Sequence, residues 1–169
     1  MRIGDRPEFA RKAAVMTFGA DEMVSVAVRA MSEKNFGAAV ITNSDLKPVG
    51  IVTERDFMRR LLDKGLDQRK TRLGDIMTTD LKLAKADDNL LDWLRQMSND
   101  RFRHLPVVDD TGKLIGLMSQ GDFVSYTWPE LINRVKEQAR ATFDVNPSIL
   151  TMLGVGIFGL LALLVLKSF

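Results

Sequence analysis

Val24, Ala27, Val28 and Met31 stand at i, i+3, i+4 and i+7, a spacing that gathers apolar side chains on one helix face. Leu90, Trp93, Leu94 and Met97 repeat it. A short apolar run follows each stripe, AAVIT after the first and LPVVD after the second. Turn residues come next, NSD and DTG, and then a second run, PVGIVT and LIGLMS. The order predicts a helix, then two antiparallel strands joined by a short turn. A second helix is expected to begin near Asp56 in the first case and near Asp122 in the second.

The likeness extends to residue identity. Shifted by 66 positions, residues 20–57 align with 86–123 without a gap, and ten of the 38 pairs are identical. Two copies are too few for a solenoid, so two halves packed on each other are expected. Strands and helices alternate within each copy, which gives an α/β (α+β) core with each half covering the other's apolar face. Between the copies, LDKGLDQRKTRLGD is polar and basic and reads as a connector.

The apolar pattern changes character near the C-terminus. Ile149–Leu166 is eighteen residues without a charge. As a helix it would span about 27 Å, close to the ~30 Å of a bilayer's hydrocarbon core. It is apolar on every face, and Ser148 and Lys167 can close the gap at its ends. A transmembrane helix is therefore expected, with a buried core helix as the alternative. The run contains GVGIFG, Gly154–Gly159, the letters of a dinucleotide fingerprint. That fingerprint has meaning only between a strand and the helix it feeds, and here the glycines belong to the membrane segment. Arg134, Lys136 and Arg140 lie upstream and only Lys167 beyond, so the positive-inside bias leaves the N-terminal portion in the cytoplasm. Before the anchor, ELINRVKEQARATF carries Leu131, Val135, Ala139 and Phe143 on one stripe, an amphipathic helix packed on the module or lying on the membrane surface.

Composition narrows the chemistry. The chain has no cysteine, which removes disulfides, thiolate metal sites and cysteine nucleophiles. With one histidine, His104, a histidine-rich metal centre is not expected. A net charge of +2 does not argue for nucleic acid. No P-loop lysine and no nucleophile–base grouping can be assembled, so an enzyme is not expected.

The repeated stretch GIVTERD (Gly50–Asp56) and GLMSQGD (Gly116–Asp122) is the one that could hold a ligand. It places a glycine, a strand, a hydroxyl residue and an aspartate three positions on, at a helix start. Thr53 or Ser119 could donate to a phosphate there, and Asp56 or Asp122 could accept from ribose hydroxyls. Gly50 and Gly116 would permit close approach of another backbone or of a ligand. The same Thr-x-x-Asp and Ser-x-x-Asp spacing also describes a capping box that serves only the helix itself. Recurrence does not separate the two readings, since both copies would need caps, and spacing alone favours plain capping. His104, beside Arg101 and Arg103, could meet a phosphate across the cleft or simply pack at the edge of a strand. Arg55, Arg59 and Arg60 could line that cleft or form a solvated helix face.

On the doubled Gly-h-x-Thr/Ser-x-x-Asp motif, the RHLPVVD stretch (Arg103–Asp109) and the helix–strand–strand–helix repeat, residues 10–127 resemble the cystathionine-β-synthase (CBS) domain. A tandem pair of these domains forms a Bateman module. The resemblance implies a pseudo-twofold module whose inter-repeat cleft binds AMP, ADP or ATP, or S-adenosylmethionine. It implies phosphate contacts for Thr53 and Ser119 and ribose contacts for Asp56 and Asp122. The adenine would lie near Thr17–Ala20 and Leu83–Ala86, and a homodimer is the expected assembly. The two copies differ: the first has FGAAVIT where the second has FRHLPVVD, and the second lacks a counterpart of Arg55. The expected organisation is an N-terminal arm 1–9, repeats at 10–64 and 76–127 with a linker 65–75, a connecting helix 128–146 and a transmembrane helix 147–167. The expected function is a membrane-anchored cytoplasmic sensor of adenine nucleotide that signals to a membrane partner. The alternative is a ligand-free CBS-pair scaffold or dimerisation module.

Overall fold

Each copy of the repeat folds as a short strand, a helix, a hairpin and a second helix. The computed structural model describes residues 2–10, 14–123, 125, 132, 133 and 135–138. The chain divides into two units, 1–126 and 127–169, and both repeats lie in the first.

In the first repeat, β1 (Thr17–Phe18) runs parallel to β2 (Ala38–Thr42), which pairs antiparallel with β3 (Pro48–Thr53). Helix α2 (Val24–Lys34) separates β1 from β2, and α3 (Glu54–Asp56) follows β3 and continues as a π-helical stretch, Phe57–Leu62. The second repeat reproduces this with β4 (Ala84–Lys85), α5 (Leu90–Asp100), β5 (His104–Val108) and β6 (Leu114–Ser119). Residues 120–123 and 125 are helical after it. The predicted stripes face inward: Val24, Ala27 and Met31 of α2 and Leu90 and Met97 of α5 are buried. Both helices end in the left-handed region, at Asn35 (φ 55°) and Arg101 (φ 57°).

The segments read as an arm and a linker are parts of the two cores. Before the second repeat, α4 (Leu73–Ile76) buries Leu73 and Ile76 in the core of the first. Before the first, Ile3 is buried in the core of the second, and Phe9, within α1 (Pro7–Ala10), packs against that core. The two dockings are equivalent. Gly74 donates its N–H to Ala20 at 2.8 Å and Gly4 donates to Ala86 at 2.6 Å. Ala20 and Ala86 are related by the 66-residue shift. Both glycines suit this close approach, because a Cβ on either would lie 3.1 Å from the carbonyl oxygen it bonds, tighter than an ordinary contact. Each repeat's lead-in thus completes the other repeat's interior, and 65–75 is a connector only as far as Lys70: Thr71 is already buried.

Among the described residues no helix is long and apolar enough to cross a membrane. The span expected at Ile149–Leu166 lies outside the described residues. Of the expected connecting helix 128–146, residues 132, 133 and 135–138 are described and helical.

Candidate functional site

At the end of β3 the chain turns into α3, and the turn is closed by its own side chains. Asp56 Oδ2 accepts from the Thr53 N–H at 2.9 Å and from the Thr53 hydroxyl at 2.7 Å, while the Asp56 N–H points back to Thr53 Oγ1 at 3.4 Å. At the end of β6, Asp122 Oδ2 accepts from the Ser119 N–H at 2.6 Å and the Ser119 hydroxyl at 2.7 Å. Both Thr/Ser–Asp pairs therefore form the capping boxes that their spacing describes. Each pair also lines a cavity.

The first cavity has a volume of about 570 Å³ and is built across the repeats. Thr53, Arg55, Asp56 and Arg59 come from the first repeat, and Arg101, Phe102, Arg103 and His104 from the second. It adjoins a hollow of about 560 Å³ that shares Ile51, Thr78, Phe102 and His104 and continues along Asp80, Leu81 and Lys82. The second cavity, about 250 Å³, is the counterpart with the roles exchanged. Ser119 and Asp122 of the second repeat face Asn35–Ala38 and Ala14–Met16 of the first. His104 lines both cavities, from its place opposite Ser119 in the β5–β6 register.

The lead-ins beside the two cavities are tied differently. In the first repeat the Val40 N–H bonds the Met16 carbonyl at 3.0 Å and ties the lead-in to the strand. The 66-residue shift puts Pro106 at the equivalent place, and proline has no N–H to repeat the bond. One tie is missing beside Lys82, where the hollow opens.

Thr53, Asp56, Arg103 and His104 meet in one cavity, and Ser119, Asp122 and His104 in the other. Gly50 and Gly116 are not among the lining residues. A Cβ on Gly50 would lie 2.9 Å from Met77 Cγ, and one on Gly116 would lie 2.6 Å from Phe9 Cε2. The space opened by these glycines is filled by the chain's own lead-in side chains. Arg55, Arg59 and Arg60 fit both readings: all three are exposed, and all three line the first cavity. Arg60 is committed elsewhere, donating to the carbonyls of Ile76 and Met77 at 2.8 Å each and lying 3.6 Å from Asp56 Oδ1. The stretches expected to hold an adenine, Thr17–Ala20 and Leu83–Ala86, do not line these cavities. Their walls are the residues just before, Ala14–Met16 and Thr78–Lys82, less Thr79. Sequence reasoning missed these because they carry no motif, and position ahead of each first strand is the one signal that marks them. Among the described residues no cluster of His, Asp and Glu could hold a metal ion.

Known proteins resemble the chain over its two repeats. The profile of the CBS domain matches residues 8–63 and again 73–128. The CBS domain-containing protein CBSX3, mitochondrial, of Arabidopsis thaliana is 37% identical over 108 residues, which is 62% of this chain and 52% of that protein. The chain thus spans about half the length of that relative. Among solved structures, the CBS-domain containing protein ATU1752 from Agrobacterium tumefaciens superposes with a TM-score of 0.66 at 27% identity, over 74% of this chain and 98% of that one. CBSX2 in complex with AMP superposes with a TM-score of 0.61 at 26% identity, over 76% and 96%. With two matched domains over most of its first unit, the chain belongs to the CBS-domain family and carries the domain as a tandem pair.

Proposed function

We propose that this chain is a non-catalytic regulatory module that binds an adenine nucleotide between its two CBS repeats. The observation that carries the reading is the cross-repeat cavity, where Thr53 and Asp56 of one repeat face Arg103 and His104 of the other. Such a cavity offers hydroxyl and carboxylate groups to a ribose and cations to a phosphate, and its walls are held in register by the exchanged lead-ins. The complex of the relative CBSX2 with AMP supports this ligand class. Ile149–Leu166 would anchor the module at a membrane, with the repeats on the cytoplasmic face and Arg134, Lys136 and Arg140 next to the bilayer. The liganded module would act on a membrane partner, as a homodimer, by favouring one arrangement of the assembly over another.

Calorimetric titration of the full chain with AMP, ADP, ATP and S-adenosylmethionine tests the ligand, with Asp56→Ala and Asp122→Ala beside it. Binding that one of these substitutions removes is expected, and no heat at millimolar ligand would end the sensing proposal. For the anchor, the full chain should pellet with membranes and a chain ending at Asn146 should not. A freely soluble full chain would rule the anchor out.

One observation favours a second reading. Both Thr/Ser–Asp pairs are already closed on themselves as caps. A ligand-free scaffold, using the CBS pair only to dimerise or to hold a partner, needs nothing more of them.

A further inference from the structure

The two cavities are related by the 66-residue shift, so their walls can be compared position by position. Arg55 corresponds to Gly121, Arg59 to Ser125, Arg101 to Asn35 and Arg103 to Gly37. All four arginines line the Asp56 cavity, and the described lining of the Asp122 cavity contains no arginine or lysine. In the sequence these differences are scattered over both repeats. The fold gathers them, because Arg101 and Arg103 of the second repeat face Arg55 and Arg59 of the first. None of the four forms an ion pair among the described residues; the salt bridges there use Arg60, Lys64, Arg72, Lys85 and Arg95. Two acidic groups, Glu54 and Asp56, stand in the same wall, and Asp56 is already engaged by Thr53 and Arg60. The excess positive charge is therefore unpaired among the described residues, and it is carried by four arginines that are all exposed. Arg101 ends α5 at φ 57°, where the first repeat has Asn35.

We propose that the Asp56 cavity is a nucleoside polyphosphate site, selecting for the charge of a di- or triphosphate chain, and that the Asp122 cavity does not share this selection. Arg55 and Arg59 on one wall and Arg101 and Arg103 on the other form a clamp, and each added phosphate brings further guanidinium contacts. This deepens the adenine-nucleotide reading and rests on it.

The test is calorimetric titration of the full chain with ATP, ADP, AMP and adenosine, repeated with Arg55→Gln/Arg103→Gln, with Arg29→Gln and with Asp122→Ala. The wild-type chain should bind ATP at least about tenfold more tightly than AMP, as one or more charge-assisted contacts would give. That ratio should fall toward one in the arginine double variant and stay unchanged in Arg29→Gln, a control at an exposed arginine that lines neither cavity. Arg59→Gln alone, expected to lower the ratio partway, serves if the double variant fails to show a cooperative melt. If AMP binds as well as ATP, or if the ratio survives loss of the arginines, the polyphosphate proposal falls while the nucleotide reading stands. If Asp122→Ala alone abolishes the preference, the cavity has been assigned wrongly. If no adenosine compound binds, the nucleotide reading itself falls.

Discussion

Leu73 donates its backbone N–H to the carbonyl of Glu22 at 2.9 Å, and at the equivalent place in the other repeat Ile3 donates to Asp88 at 3.1 Å. Both donors have fully buried side chains. An N-terminal arm would be expected to tolerate truncation, but this one fills a core. Ile3→Ala should cost about 2–5 kcal/mol, the range for emptying a buried aliphatic site, and Ile76→Ala should cost as much. Val26→Ala, half-exposed on α2, should cost under about 0.5 kcal/mol. Urea melts of the three variants check this, and an Ile3→Ala that melts like wild type would overturn the placement of the arm.

The glycines of the repeated motif make a second prediction. Gly116→Ala would set a Cβ against the ring of Phe9 and should destabilise by about 1–3 kcal/mol, as overpacking does. In a Phe9→Ala background the added cost should largely vanish. A double-mutant cycle measures that coupling, and a coupling near zero would show that Phe9 does not fill the space.

Thr53 and Asp56 act as one unit through bonds of 2.7 and 2.9 Å. Thr53→Ala and Asp56→Ala should each cost about 1 kcal/mol, as for a lost cap. The double variant should cost little more than either single one. Additive losses in thermal melts would mean that the two side chains act separately.

Arg101 and Leu46 are both non-glycine residues at positive φ, 57° and 61°. Arg101→Asn and Leu46→Asn should each raise stability by up to about 1 kcal/mol by easing the left-handed conformation. Leu46 does not line either cavity, whereas Arg101 lines the Asp56 cavity. Arg101→Asn should therefore also weaken ATP binding, and Leu46→Asn should not. Equal effects of the two on ATP binding would sink this separation.

Asp109 closes the β5–β6 turn and is held below the ordinary carboxylate value of 3.8, first by the hydroxyl of Thr111 and then by the N–H of Lys113. A carboxyl lowered in the folded chain contributes stability that is present above its unfolded value, near 3.9, and is lost as pH falls through the folded one. Nuclear magnetic resonance titration should place the Asp109 midpoint below 3.8. Thr111→Val should move it upward, and no movement would remove the hydroxyl as the main cause.

The hairpins, both helical stripes and the Thr53–Asp56 and Ser119–Asp122 pairs are legible in the chain because each is local: a period, a turn signal, a three-residue spacing. What faces what is not. A repeat aligns Arg103 with Gly37 and Thr53 with Ser119, but it does not say that Thr53 faces Arg103 across the module. The lead-ins escaped for a different reason. Ile3, Gly4 and Asp5 match Leu73, Gly74 and Asp75 at an offset of 70, four more than the 66 that aligns the rest. The gap hides them from an ungapped comparison. Their polar neighbours make 65–75 look like solvent-exposed chain, although burial there is set by the partner repeat.

The exchange of lead-ins also limits how the module can move. Two halves joined by a flexible strap could swing apart like jaws. Here each half grips the other's interior, through Ile3 on one side and Leu73 with Ile76 on the other. Separating them would empty both cores at once, so a gape between the repeats would be a form of unfolding. The repeat pair is mechanically a block. A signal raised by anything in its cavities has to leave through side chains and loops at the surface, or through displacement of the whole block, and not through a hinge between its halves.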